Sequence, residues 1–309
     1  MVARVLSTRL RARSGLFAVS AGALLWGTTG VAVSIVHERS GLAAVPIGCL
    51  RLAIAAVALA VAFRTSGLRR ARIAVARHRW SLLLAGAGLG AYQALYFIGV
   101  QDIGVSVSTL VSLAVAPVVL TLGAAVTRRR LPSPTALLTL AAAVVGLALI
   151  SSRPGAVEHA AHPTIGLLAS FGSGLGYAAT TVLNRRLAAD GDPLLLTWVT
   201  SAVGAIVLVP LALPIGLFWP GDAVAGGWLV YLGIVPTVMA YGLFYLGLRS
   251  TPSEAAGVLT LLEPLAATLL AALVLHEALS LPAMIGAALL LAAIAGMYLR
   301  RPEPELAPL

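Results

Sequence analysis

Apolar runs of 18 residues or more recur along this chain, separated by short segments rich in arginine. A run of that length crosses the roughly 30 Å hydrocarbon core of a bilayer as a helix. The composition leaves no soluble alternative. Of 309 residues, 60% are hydrophobic and only 10% charged, against about 25% charged in a soluble domain. Too little polar surface exists to coat a globule, so lipid is the solvent for most of it.

The apolar pattern predicts ten spans, at about 15–36, 44–63, 80–100, 104–127, 135–152, 164–184, 193–217, 227–248, 253–275 and 280–299. The first follows a basic stretch, like a signal peptide. Its apolar run is longer than the roughly 7–15 residues of a signal core, and no small-residue cleavage motif follows. We read it as an uncleaved span.

The formal net charge of +10 is not a nucleic-acid signal. Every basic residue counted with it is arginine, and all but three of the 21 fall in alternate loops. Arg39 and Arg153 lie on the other side, and Arg51 lies within span 2. That asymmetry predicts the cytoplasmic (inner) membrane with both termini cytoplasmic. Residues 1–14 form a basic cytoplasmic N-terminus, 153–163 an external linker and 301–309 a cytoplasmic tail. Between them lie two units, 15–152 and 164–300, of five spans each.

The two units resemble one another. "ALYFIGVQDIGVSVSTLVSLAVAPVVLTLGAAV" from Ala94 aligns with "GLFYLGLRSTPSEAAGVLTLLEPLAATLLAALV" from Gly242. Leu95 matches Leu243, Gly99 matches Gly247, and Pro117 matches Pro264 after a one-residue slip. Earlier, "GLFAVSAGALLWG" from Gly15 aligns with "GLLASFGSGLGYA" from Gly166, setting Trp26 opposite Tyr177. An odd number of crossings per unit reverses the second copy. The expected fold is therefore an all-α integral membrane protein of ten transmembrane helices in two inverted-topology five-helix repeats. Transporters of that design bind substrate near the midplane.

Several features bring the chain into resemblance with the EamA-like family of the drug/metabolite transporter superfamily. They are "LLWGTTGVAVSIV" with Trp26 and Gly27, "LRLAIAAVALAV" with Arg51, and the long stretch through spans 8–10 with Glu263–Pro264 and Glu277. The resemblance covers essentially the whole chain. It departs at "VTRRRLP", where the first copy lacks the glutamate that often ends span 4, while Tyr177 fills the place in span 6 that often carries an aromatic like Trp26. It implies two inverted five-helix repeats and export of small metabolites such as amino acids. It does not carry a substrate over.

Glu263 is the most informative residue. An ionised side chain at mid-span costs at least about 2.5–3.5 kcal/mol on insertion scales. It must face the protein interior, meet a partner, face water or be protonated. It is a candidate ligand for a substrate ammonium or a proton carrier; an interhelical hydrogen bond is the structural alternative. Pro264 removes a backbone bond and bends span 9, which would free a carbonyl near Thr260. Pro117 is its counterpart in span 4. Arg51 lies roughly 10 Å from the outer end of span 2 and Glu263 roughly 18 Å from that of span 9, counting 1.5 Å per residue. The two could pair, or Arg51 could snorkel outward or take a substrate carboxylate.

Tyr92 and Tyr96 are one turn apart, as are Tyr241 and Tyr245, so each pair shares a helix face. With Gln93 and Trp26 these faces could line the pathway or simply pack. Gly86/Gly90 and Gly172/Gly176 are spaced for close helix contact. "EHAAH" at 158–162 is too sparse for a metal site and differs from H-E-x-x-H. Cys49 reads as a small buried hydrophobe.

The chain has no lysine, so it can form neither a Walker A motif nor a Schiff base. No catalytic constellation, metal or cofactor is expected. The expected activity is secondary export of a small metabolite, most simply an amino acid, by alternating access. Proton-coupled efflux of cationic drugs is the alternative, with a gradient-driven facilitator beside it. A receptor or structural role is the rival from another class. The partners are a small-molecule substrate and lipid, with no nucleic acid and no ATP, and a monomer suffices.

Overall fold

The computed structural model describes residues 2–66, 68–152, 162–274 and 280–299, and their regular elements are all helices. The expected tail at 301–309, Glu277, and most of the 153–163 linker with "EHAAH" lie outside the described residues. In order, the helices are α1 (Val2–Gly27), α2 (Thr29–Ser40), α3 (Ala44–Ser66), α4 (Leu68–Arg128), α5 (Pro134–Ser151), α6 (Pro163–Asp190) and α7 (Pro193–Gly216). Then follow α8 (Ala223–Gly233), a π-helical turn (Ile234–Met239), α9 (Ala240–Leu248), α10 (Ser253–Leu259), α11 (Leu262–Val274) and α12 (Leu281–Leu299).

Among the described residues nine helices are long and apolar enough to cross a membrane. One of them, Val75–Arg128, has 54 residues and would be about 81 Å long if straight. It is not straight. Gly104 has φ 77° and ψ 163°, a conformation essentially closed to residues with a Cβ. There the chain doubles back, so that the Tyr96 hydroxyl meets Thr109 Oγ1 at 2.7 Å. The nine helices thus make ten crossings, and spans 3 and 4 are the arms of α4. Pro117 sits inside the second arm without breaking it; the Thr121 hydroxyl donates to its carbonyl at 2.7 Å.

Three crossings are broken where the apolar pattern runs on. Span 1 breaks between α1 and α2 at Thr28, whose hydroxyl donates to Leu25 O. Span 8 holds the π-helical turn. Pro236 cannot donate to the Leu232 carbonyl, and the Thr237 hydroxyl does so instead at 2.7 Å. Span 9 breaks between α10 and α11, just ahead of Glu263–Pro264. The carbonyl of Thr260, expected to be freed by Pro264, instead accepts the Glu263 N–H at 3.0 Å. Other helices start as their sequence dictates: Ser133, Asp192 and Asp222 accept the N–H groups of Ala136, Leu194 and Val224, and Pro134 and Pro193 open their first turns.

Small residues set the helix contacts. Gly86 and Gly90 rest on Val203 and Val207 of α7, and Gly176 rests on Tyr92. Corresponding positions of the two copies make corresponding contacts. A Cβ on Gly247 would lie 2.7 Å from Gly15 O, and one on Gly99 would lie 3.2 Å from Gly166 O. Span 1 therefore packs on span 8 as span 6 packs on span 3. On the pseudo-axis, α5 and α12 meet through Gly146 and Gly286, each against the other's carbonyl. Cys49 is buried, its thiol 3.5 Å from Ala205 O.

Candidate functional site

The broken spans 1 and 9 meet at mid-membrane. A Cβ on Gly27 would stand 2.8 Å from Glu263 O and 2.5 Å from Ala266 Cβ. Any larger residue at 27 would push span 9 away. Broken helices crossing at this depth are how transporters expose polar backbone and side chains to substrate.

Around that crossing lies a continuous polar and aromatic cluster. Trp26, at the end of α1, stacks edge-on to Tyr241 with centroids 4.9 Å apart. The hydroxyls of Tyr241 and Tyr92 are 3.1 Å apart, joining span 8 to span 3. Tyr92 stands edge-on to Tyr177 of α6 at 5.5 Å. Arg51 of α3 donates to Gln93 Oε1 at 2.6 Å. Glu263 is within electrostatic range of Arg51, Tyr96, Tyr177 and Tyr241. No ion pair closes between Arg51 and Glu263 among the described residues. Arg51, Tyr92, Tyr96, Tyr177 and Glu263 are only half-buried although they sit at mid-span. That partial exposure suits the charges that insertion energetics would otherwise oppose.

Seven of the eight residues singled out in the sequence are in this cluster: Trp26, Arg51, Tyr92, Gln93, Tyr96, Tyr241 and Glu263. Tyr245 is not. It is 1% exposed, with its hydroxyl directed to Asn184 Nδ2 at 3.4 Å and Thr200 Oγ1 at 3.5 Å. It shares a helix face with Tyr241, yet span 7 covers the lower turn of that face and leaves only the upper one on the cluster. Tyr177 was the omission. The alignment that sets it opposite Trp26 is the signal that could have identified it. Among the described residues both members of that pair leave a polar atom without a partner, Trp26 Nε1 and Tyr177 OH, as does Gln93 Nε2.

The two faces of the molecule differ. On the arginine-rich face an ion pair and a helix contact join the copies, and two arginines tie helices within the second copy. Arg128 pairs with Glu254 at 2.8 Å. Arg185 donates to Thr251 O at 3.1 Å, and Arg249 to Ala188 O at 2.9 Å. Gly257 of α10 packs on Pro117 and Leu120 of span 4. On the opposite face, α2 packs on α8 and α11, whereas the α4 hairpin packs on α6.

Similarity to known proteins agrees with this architecture. The model of the EamA-like transporter family matches twice, over residues 13–152 and 164–299. An uncharacterized transporter of Bacillus subtilis (strain 168), YwfM, is 31% identical over 214 residues, covering 69% of this chain and 71% of its own. The threonine/homoserine exporter RhtA of Salmonella typhimurium (strain LT2) is 25% identical over 233 residues, covering 74% of each chain. A crystal structure of 22% identity superposes with a TM-score of 0.75, covering 92% of this chain and 96% of that one; this likeness shows the fold.

Proposed function

The chain belongs to the EamA-like transporter family, and on that premise we propose that it exports a small zwitterionic metabolite, in the first instance an amino acid. It does so across the cytoplasmic membrane by alternating access, with its two five-span copies set in opposite senses and both termini in the cytoplasm. The observation that carries this reading is the central pair of opposite charges. Arg51 comes from one copy and Glu263 from the other, in range of each other without an ion pair. An α-amino acid bridges such a gap with its carboxylate on Arg51 and its ammonium on Glu263. The aromatic walls of Trp26, Tyr92, Tyr177 and Tyr241 take its side chain. A relative named as a threonine/homoserine exporter supports the substrate class. The test is counterflow of radiolabelled threonine in liposomes. Saturable exchange with unlabelled amino acids is expected; no exchange for any amino acid, by folded protein, would sink the reading.

A second reading has its own observation. No side chain hydrogen-bonds Glu263 among the described residues, so it is free to carry a proton against a cationic solute. Uptake of organic cations driven by an imposed pH gradient, without amino-acid counterflow, would select it.

With the arginine-rich face cytoplasmic, Arg128 and Glu254 join the two copies on the inward side. The Arg128–Glu254 pair then favours the outward state. Its side chains are 57% and 24% exposed, and such a pair contributes about 0.2–1 kcal/mol. Glu254→Gln should shift the population inward by up to about fivefold. A cysteine at Thr109, in a Cys49→Ala background, should then react correspondingly more slowly with an impermeant maleimide added outside. An unchanged rate would remove the pair from the gate.

A further inference from the structure

Gln93 is 5% exposed and commits its carbonyl oxygen to Arg51 at 2.6 Å. Arginine only donates, so this contact sets the amide's orientation: Oε1 toward Arg51 and Nε2 away from it. Nε2 has no partner. Two further groups of the same cluster are in the same condition, Trp26 Nε1 and the Tyr177 hydroxyl. A buried donor left unmade costs about 1–3 kcal/mol, and three such groups in one site call for acceptors that arrive with a ligand. Among the described residues Glu263 is the one carboxylate of the cluster, and it hydrogen-bonds none of them.

We propose that Gln93 is a specificity-determining residue of the central site, whose Nε2 group, beside the Arg51 guanidinium, binds the substrate's carboxylate. This assignment rests on the amino-acid reading above and adds to it the anionic pole. Arg51 does two things there. It holds the amide with one N–H, and it offers its remaining N–H groups to the incoming carboxylate, for which the planar fork is suited. The carboxylate's several lone pairs then satisfy Arg51 and Gln93 together. The unpartnered N–H of Trp26 and hydroxyl of Tyr177 add neutral donors to the same site, and Glu263 holds the ammonium.

Selectivity follows from what is left unpaired. A substrate lacking the carboxylate leaves Arg51 with the Gln93 oxygen as its acceptor and leaves the Gln93 Nε2 group with none. Sites of this kind discriminate by factors of about 10⁴–10⁵ at best. Arg51 alone already favours a carboxylate, so the part owed to Gln93 is read in its variants.

The experiment is competition against labelled-threonine counterflow by threonine and by 1-amino-2-propanol, the same molecule without its carboxylate. In the native protein, threonine should compete at least about 100-fold better than the amine. In Gln93→Glu the introduced carboxylate pairs with Arg51 in place, keeps the helix contact and occupies the anion pole. The preference should fall to tenfold or less, and Gln93→Asn, which keeps an amide, should retain part of it. An amine that competes as well as threonine in the native protein overturns the assignment while the amino-acid reading stands. So does an unchanged preference in folded Gln93→Glu. Absence of threonine counterflow in the native protein overturns both.

Discussion

Glu263→Gln should reduce amino-acid counterflow at least about 100-fold and leave the protein folded. The substitution keeps the shape of the side chain and removes only its charge. At about 4 Å and an effective dielectric of about 20, a carboxylate attracts an ammonium by about 4 kcal/mol. Desolvation of both groups offsets part of this, and a loss of about 2.7 kcal/mol corresponds to the hundredfold. The amide also relieves the cost of a mid-membrane charge, so the melting temperature should hold or rise. Glu263→Asp keeps the charge but withdraws it by one methylene, and should retain part of the activity. The check is initial rates of threonine exchange beside melting curves of each variant. If Glu263→Gln exchanges threonine at the native rate, Glu263 does not hold the ammonium. If transport and stability fall together, its role is structural.

Gly286→Val should destroy the folded protein. A Cβ at that position would come within 2.5 Å of Gly146 O and 2.9 Å of Ile150 N, both backbone atoms of the facing helix. Backbone atoms cannot rotate aside as a flexible side chain can, so α12 must move off α5. Overpacking in a core costs about 1–3 kcal/mol where neighbours can adjust. Here they cannot, and lipid fills the gap without penalty because apolar helices gain little from one another in a bilayer beyond close packing. A monodisperse elution peak reduced at least about tenfold is the expected readout, with Gly286→Ala intermediate. A normal yield for Gly286→Val would mean that this contact is not needed for assembly of the two copies.

The spans and the repeat were legible because each rests on a one-dimensional signal. Hydrocarbon thickness sets the length of an apolar run, and membrane insertion sets the distribution of arginines, so both can be counted along the chain. The cluster was legible for a related reason: a charge or amide at mid-span is costly, and Arg51, Gln93 and Glu263 stand out against their surroundings. Less legible were the breaks at Thr28 and at Thr260–Leu261, because the apolar pattern runs through them. Pro264 announced the second but not its position, which the hydrogen bond from Glu263 N–H to Thr260 O decides.

What the sequence by itself determined was a ten-span membrane protein in two related halves, with one base and one acid near its centre. Insertion energetics act on each segment almost independently of the others, so they are written in local composition. What only the tertiary structure decided was which groups meet. Tyr241 reaches the site and Tyr245, one turn away, is buried against Asn184 and Thr200. Arg51 takes Gln93 rather than Glu263 as its partner. Tyr177 joins the cluster from the other copy. Each of these depends on how closely glycines let neighbouring helices approach and on the rotation of each helix about its own axis. Those are properties of pairs of segments, and the pattern within one segment does not contain them.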